Sequence, residues 1–547
     1  MATGAEALVR ALGRVNAHVV FGVPGAHNLP LVVGLRSQGV RFVACTAPGA
    51  AVRAADGYAR RTGRLGVVVN GPSSAPLGDR PEVGESVASE VPLLIIEVGV
   101  APPGPPGPGR APAPVEVLAP RHVDHVVELG SMDDVVAVLR QVADTALSGP
   151  RGPVVLHLTP GFLVAPAAPE PDEDGPEPPT KPATGSVEHV QLRRAGNMVD
   201  AAQHVLIWAG GGAMRAGAGG AIAELAEKVG APVVTTTQAA GLLPARHPCL
   251  VGLPPHLPEV GRMWDEADLV VAVGTDFDVQ STQGLRMPEP GTLIAINTDP
   301  VDAGRHYRPD VLLRGDAKVL TKALSDAVSY RGGTAVVRSR LQELRAGVRR
   351  ELRESDPTEM AFLEAVSAAL PDRTTVVADP SAAGRWLAAF HEWTLPRTLL
   401  FPDDLDTVGY ALPAAIGAAA AASHEPVVAI VGDQGLLAAL GELVVLAREK
   451  LPLTVIVVDD GGAGRLRPLL RQLGEDPGSF DRQSPDYAAT ARTFGLRADR
   501  IDALDDELTA ALRAHIAAPD PTVLVVEARL RPPPTDESRW YRAAAEP

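Results

Sequence analysis

The chain has 547 residues, 46% hydrophobic and 21% charged, the values of a globular protein too long for one core. A net charge of −16 argues against nucleic acid and anionic membrane surfaces as partners, and no apolar run reaches membrane-spanning length. Cys45 and Cys249 are too few for a disulfide framework or a thiolate metal site, and the first residues lack a signal-peptide layout, so a cytoplasmic protein with two reduced thiols is expected.

The chain opens as a helix over 3–14, with Thr3 and Glu6 spaced as a capping box. Strands follow at 18–22, 40–45 and 65–70, with a helix at 50–62. A nearly all-apolar strand at 92–98 implies cover on both faces. A helix at 132–148 and a strand at 154–158 close a first domain, 1–165. Inside it, the Pro/Gly-rich run 101–117 reads as an extended loop. His157, on an apolar strand, reads as a satisfied core histidine. Residues 166–186 form a proline-rich acidic linker. A central domain, 187–332, places strands at 204–209, 233–236, 269–273 and 293–297, and a helix at 218–229. Gly210, Gly211 and Gly212 after its first strand suit a tight turn. No full Gly-x-Gly-x-x-Gly string is present, so FAD is not indicated. A helical linker, 333–357, leads to a third domain, 358–530, and a polar tail, 531–547. This rhythm predicts an α/β protein of three successive doubly wound domains with parallel sheets.

The third domain carries the most informative stretch. Strand, acidic turn, helix, strand and second acidic turn run through Gly432, Asp433, Gln434, Asp459 and Gly461. A βαβ unit puts both strand ends on one sheet edge, where two carboxylates and a helix N-terminus can hold Mg²⁺ and a diphosphate together. The alternative is that Asp433 and Asp459 only cap strand-end turns.

The stretch resembles the cofactor-anchoring motif of thiamine-diphosphate (ThDP) enzymes, with Gln434 at a glycine position and Asp459 at an asparagine position. VVFGVPGAHNLPL (19–31), AADGYARRTG (54–63), WAGGGAMRAGA (208–218) and DDLDTVGYALPAAIGAA (403–419) extend the likeness over nearly the whole chain, to acetolactate synthases and 2-oxo acid decarboxylases. The resemblance implies pyrimidine-binding-like, central and diphosphate-binding-like domains in that order. It also implies ThDP and Mg²⁺ as cofactors, with Asp433, Asp459 and Gly461 as metal ligands. Gln434, Val408, Asp406 and Ser73 would be further cofactor contacts, and His27 either faces substrate or pairs with loop backbone. The family's active site is shared between subunits, so the resemblance also implies a homodimer or homotetramer.

The aligned strings also depart from the family. Its glutamate, which binds the cofactor's pyrimidine and assists proton removal, falls on Ala47, so no catalytic residue is assigned; a missing general base is worth about 10²–10⁴ in rate. Ser381, Ala382, Ala383 and Gly384 stand for a polar string that donates to the diphosphate. Asp403, Asp404 and Asp406 stand in a glycine-rich turn and would repel a diphosphate. Gln434 would be strained if its position needs φ > 0. These changes count against ThDP binding. They predict a degenerate site without ordinary ThDP catalysis, in a non-catalytic partner of an active paralogue or a repurposed cleft. The alternative is an active ThDP/Mg²⁺ decarboxylase or carboligase acting on a small 2-oxo acid.

Overall fold

The computed structural model describes residues 2–71, 81–99, 126–129, 135–167, 188–403, 407–421, 425–462, 464, 466–481 and 484–536. The loop 101–117, nearly all of the linker 166–186, and Ser73, Asp404 and Asp406 lie outside them.

Three parallel sheets organise the chain. The first holds β1 (Val19–Gly22), β2 (Arg41–Ala44), β3 (Gly66–Asn70), β4 (Leu93–Val98), β5 (Val126–Leu129) and β6 (Pro153–Leu158), in the order β2-β1-β3-β4-β6-β5. The second holds β7 (Val205–Ala209), β8 (Val233–Thr235), β9 (Leu269–Val273), β10 (Leu293–Asn297) and β11 (Val311–Arg314), in the order β11-β10-β9-β7-β8. The third holds β12 (Thr375–Ala378), β13 (Leu399–Leu400), β14 (Val427–Gly432), β15 (Leu453–Asp459), β16 (Arg497–Ile501) and β17 (Thr522–Glu527), in the order β13-β12-β14-β15-β17-β16. Every pairing among these strands is parallel.

The central strands follow from their apolar runs: β4 reads Leu-Leu-Ile-Ile-Glu-Val and is buried at every position. The strands that the sequence pattern did not predict, β5, β11, β13 and β16, are all sheet edges. An edge strand is paired on one side only, so it can be short or charged, as in the two residues of β13 and the Arg-Ala-Asp-Arg-Ile of β16. No helix among the described residues is long and apolar enough to cross a membrane.

Local signals also turn into contacts. The capping box forms: Glu6 N–H donates to Thr3 Oγ1 at 3.4 Å and Thr3 N–H to Glu6 Oε2 at 2.9 Å. Two expectations are corrected. Gly210 caps a helix, Gly211–Ala216, instead of making a simple turn. The glycines serve close approach there: a Cβ on Gly212 would sit 2.9 Å from the Cα of Gly274, itself at φ +57°. His157 is not a core residue. It stands on β6, next to the edge strand, with its side chain 37% exposed and Nδ1 3.2 Å from Glu97 Oε2.

The first and third domains share a core. Helix Pro48–Thr62 lies against helix Ala411–Ala421, and their buried alanines join Phe21, Tyr58 and Tyr410 in one cluster. The backbones nearly touch. A Cβ on Gly57 would fall 2.0 Å from the carbonyl oxygen of Ala414, and one on Gly417 would fall 1.7 Å from that of Ala54. Each helix therefore offers a small pair three residues apart, and each glycine receives the other helix's carbonyl. A polar cluster flanks this crossing. Arg60 donates to Asp56 Oδ1 at 2.7 Å and to Glu85 Oε1 at 2.7 Å, while Tyr410 Oη donates to Asp56 Oδ1 at 2.7 Å. The Arg60 guanidinium also lies 5.6 Å from the Tyr410 ring centre. The central domain joins the third through a second core, in which Trp208, Trp264, Phe277 and Tyr307 form an edge-to-face group that is continuous with Trp386 and Phe390.

Gly417→Ala should lower the thermal stability of the folded chain by at least about 2 kcal/mol, because the contact is backbone and cannot rotate away. Gly13→Ala, where a Cβ meets nothing within 4 Å, should leave it unchanged or raise it by about 0.5–1 kcal/mol. Thermal unfolding of the two variants beside the wild type measures the contrast.

Candidate active site

The C-terminal edge of the third sheet gathers the acidic turns. β14 and β15 pair in register, with Gly432 beside Val458, so Asp433 and Asp459 leave the sheet side by side. Asp433 is the first residue of helix Asp433–Ala438 and is buried; its Oδ1 accepts from Gln434 N–H at 2.7 Å. Asp459 Oδ1 accepts from Gly461 N–H at 3.1 Å and from Ser484 Oγ at 2.8 Å. Gly461 lies at φ +83°, the left-handed conformation that favours glycine. Gln434 Nε2 donates to the carbonyl of Gly462, which clasps the two turns together. Arg467 closes the second turn, donating to Asp460 O at 2.7 Å and pairing with Asp481 at 2.7 Å.

Gln434 sits in the first turn of a right-handed helix, so the strain anticipated for a positive φ does not arise. The glycine one residue on is the constrained one. A Cβ on Gly435 would stand 1.9 Å from Asp379 Oδ2. Asp379 follows β12 as Asp433 follows β14, and Asp459 ends β15, a signal present in the sequence and overlooked. Its Oδ1 accepts from Ala411 N–H at 2.8 Å, at the start of helix 411–421, and its Oδ2 has no hydrogen-bond partner among the described residues. Burial pushes its carboxyl up to about 7, against the backbone N–H groups of Ala411, Tyr410 and Gly432 and the nearby Arg53.

The remaining expected contacts divide. Val408 is 42% exposed, in a run whose Gly409 packs on Ala438 and Gly435 and whose Gly409 carbonyl accepts from Arg53 at 2.8 Å. Ser381 Oγ caps helix Ala382–Phe390 by accepting from Gly384 N–H, so its hydroxyl is engaged, while Ala383 is buried. Asp403 is a correction. It does not face the acidic turns as a repelling charge; it turns into the Arg60 cluster, with Oδ2 2.6 Å from Ser89 Oγ and Oδ1 accepting from Gln238 Nε2 at 2.7 Å. A buried arginine and two polar side chains draw it there.

Ala47 is the N-cap of helix 48–62, in extended conformation and with no side-chain cap. Beside it lies the carboxyl of Glu442, which sequence reasoning missed. Its Oε1 accepts from Thr46 N–H at 2.9 Å and from Thr46 Oγ1. Burial raises its pKa, opposed by its bonds from Thr46 and Ala47. His27 is exposed and makes no hydrogen bond among the described residues.

The donors at the acidic turns suit a hard cation: two carboxylates, a left-handed glycine carbonyl and an amide oxygen, all oxygen ligands that Mg²⁺ accepts. No group of three or more His, Cys, Asp or Glu is arranged for a metal among the described residues, so a cation here would need backbone, water or ligand oxygens as well. The diphosphate end of a ThDP site thus fits the residues present. The pyrimidine end, with a methyl group at position 47, does not supply the carboxylate.

A separate cavity of about 2420 Å³ opens at the C-terminal edge of the central sheet, lined by Gly211, Arg215, Gln238, Asp276, Asn297 and Asp403 among others. This edge is the general ligand position of doubly wound sheets.

These three sheets and this paired acidic turn define a ThDP-type enzyme fold, and sequence comparison agrees domain by domain. Residues 2–101 match the thiamine pyrophosphate enzyme N-terminal TPP binding domain, 192–324 the central domain, and 379–526 the C-terminal TPP binding domain. The chain belongs to the thiamine pyrophosphate enzyme family, among its acetolactate synthase-like and 2-oxo acid decarboxylase-like members. It is 32% identical over 524 residues to the Probable 2-ketoarginine decarboxylase AruI of Pseudomonas aeruginosa, covering 94% of this chain and 91% of that one. It is 28% identical over 555 residues to the acetolactate synthase large subunit of Corynebacterium glutamicum, covering 95% and 86%. In fold it is similar to the ThDP-dependent 4-hydroxybenzoylformate decarboxylase of Rhodococcus jostii RHA1, with a TM-score of 0.77, 22% identity and coverage of 97% and 100%.

Gln434→Gly removes the clasp to Gly462 and places glycine in a helix turn. It should cost about 1–2 kcal/mol and speed hydrogen exchange of the amides at 461–462, measured by mass spectrometry.

Proposed function

We propose that this chain keeps the metal–diphosphate end of the family's cofactor site and has lost the end that activates the cofactor, so ordinary ThDP catalysis is not its purpose. The observation that carries this reading is the methyl group of Ala47 at the head of helix 48–62. Glu442, the carboxyl beside it, is committed to Thr46 in the same chain. Asp433, Asp459, Gly461 and Gln434 would hold Mg²⁺ and the diphosphate, and Val408 would bear on the rings. When bound, ThDP supplies a nucleophilic carbon that attacks 2-oxo acids; the residues at 46–47 offer no side chain to move its proton. Such a chain serves as a partner subunit in a homodimer, homotetramer or mixed oligomer with an active paralogue, or uses its cleft for other chemistry.

One observation favours a second reading. A relative named as a 2-ketoarginine decarboxylase aligns over 94% of this chain, which supports an active decarboxylase or carboligase of a small 2-oxo acid.

Calorimetry with ThDP and Mg²⁺, followed by turnover of a 2-oxo acid panel that includes 2-ketoarginine, separates the two. The first reading expects Mg²⁺-dependent binding that weakens at least tenfold in Asp433→Ala. It also expects negligible turnover in the wild type and a gain of about 10²–10⁴-fold in Ala47→Glu. Ordinary decarboxylation by the wild type would overturn it in favour of the second.

A further inference from the structure

Where the three domains meet, the hydrogen bonds do not add up if every acid is ionised. Ser89 Oγ lies 2.6 Å from Asp403 Oδ2 and 2.8 Å from Glu85 Oε1. A serine hydroxyl has one hydrogen and can donate to only one of them. Glu85 Oε1 already accepts from Arg60 Nη2 at 2.7 Å and from Asp403 N–H at 3.0 Å, so it is the acceptor of the group. Asp403 Oδ1 accepts from Gln238 Nε2 at 2.7 Å. The oxygen left to carry a hydrogen is Asp403 Oδ2.

Charge leads to the same atom. Among the described residues, three carboxyls, Asp56, Glu85 and Asp403, lie about Arg60, whose side chain is 9% exposed. Asp56 is held by Arg60, Tyr410 Oη and Ser86 Oγ. Asp278 adds a further negative charge from the turn after β9. The neighbouring Arg215 is spent on Glu90 and on the carbonyl of Ser89. A neutral Asp403 leaves one excess negative charge on the Asp56–Arg60–Glu85 group where an ionised one leaves two.

We propose that Asp403 takes up a proton from solvent and shares it through Ser89 with Glu85, forming a proton-dependent clip that holds the three domains together at Phe401 and Asp403. Glu85 and Ser89 belong to the first domain, Gln238 to the central domain and Asp403 to the third. Arg60 Nη1 and Gln238 Nε2 both donate to the carbonyl of Phe401, at 3.2 and 2.8 Å, so the clip fixes the start of the run that bears Val408. Burial, with Glu85 second, pushes the Asp403 carboxyl up to about 7, against the pull of Arg60 and Ser89. The folded state binds this proton more tightly than the unfolded chain does. Its stabilisation is therefore complete below the ordinary aspartate value of 3.8 and is lost as pH rises toward about 7.

Infrared spectroscopy of the full chain in D₂O tests the clip without any cofactor. At mildly acidic pD the wild-type-minus-Asp403→Asn difference should show a protonated-carboxyl band that titrates away toward alkaline pD; Asp379 cancels in this difference. Absence of the band overturns the proposal. Asparagine accepts from Gln238 and donates to Ser89 as the protonated acid does, so Asp403→Asn should fold, and the wild-type melting temperature should fall relative to it as pH rises from about 4 to about 7. A constant difference between the two overturns the proposal. Ser89→Ala supplies an independent variant: losing the hydroxyl should shift the band, and an unshifted band overturns the assignment.

Discussion

The crossing of helices 48–62 and 411–421 is the contact on which the rest of the structure depends. Ala54 and Gly57 on one helix meet Ala414 and Gly417 on the other, with each glycine receiving a carbonyl where a Cβ would collide. At this separation the two backbones act as one rigid body. The crossing fixes position 47, at the head of the first helix, relative to the acidic turns of the third domain. The Arg60 cluster on its flank extends the same rigidity to the central domain through Gln238 and Phe401. Breaking one member of a buried ion pair typically costs about 3–5 kcal/mol, because the partner is left as an uncompensated buried charge. Asp56 and Glu85 would both be left so if Arg60 were removed.

Within that frame the cofactor-facing residues separate into two groups. At the acidic turns, substitutions that look hostile on paper are accommodated. Gln434 takes a helical backbone and spends its amide on Gly462, and Asp403 turns away from the turns into a cluster that wants it. At position 47 the helix begins on a methyl group. Glu442 is near in space but serves the backbone of Thr46, and its second oxygen is buried without a partner among the described residues. A rate loss of 10²–10⁴-fold at this position corresponds to about 3–5 kcal/mol of barrier, more than the clasp at Gln434 contributes.

Much of this was legible in the sequence, for physical reasons. Interior strands bury both faces, so β4 and β14 announce themselves as apolar runs, and Asp433 and Asp459 are found because they follow such runs. Edge strands need not: β2 and β8 are legible, while β5, β11, β13 and β16 are not. The role of Asp403 was misread because a one-dimensional alignment supplies a position but not a direction; its direction is set by Arg60, 343 residues earlier in the chain. Glu442 was missed for the same reason, as its partner Thr46 is 396 residues away. His157 was assigned to the core from its strand alone, without knowledge that β6 lies one place in from an edge.

The strings that match the family most clearly turn out to be steric. In Ala-Asp-Gly-Tyr-Ala-Arg, Asp56 and Arg60 form the buried ion pair and Gly57 admits the carbonyl of Ala414. In Leu-Pro-Ala-Ala-Ile-Gly, Gly417 admits the carbonyl of Ala54, and in Gly-Asp-Gln-Gly the last glycine clears Asp379. Each of these positions is constrained by atoms of this same chain, whatever the protein does with a cofactor. Positions 47 and 434 carry no such steric demand from the interior, and there the chain departs from the motif. The match therefore reports that the scaffold must pack. The departures fall at positions that packing leaves open.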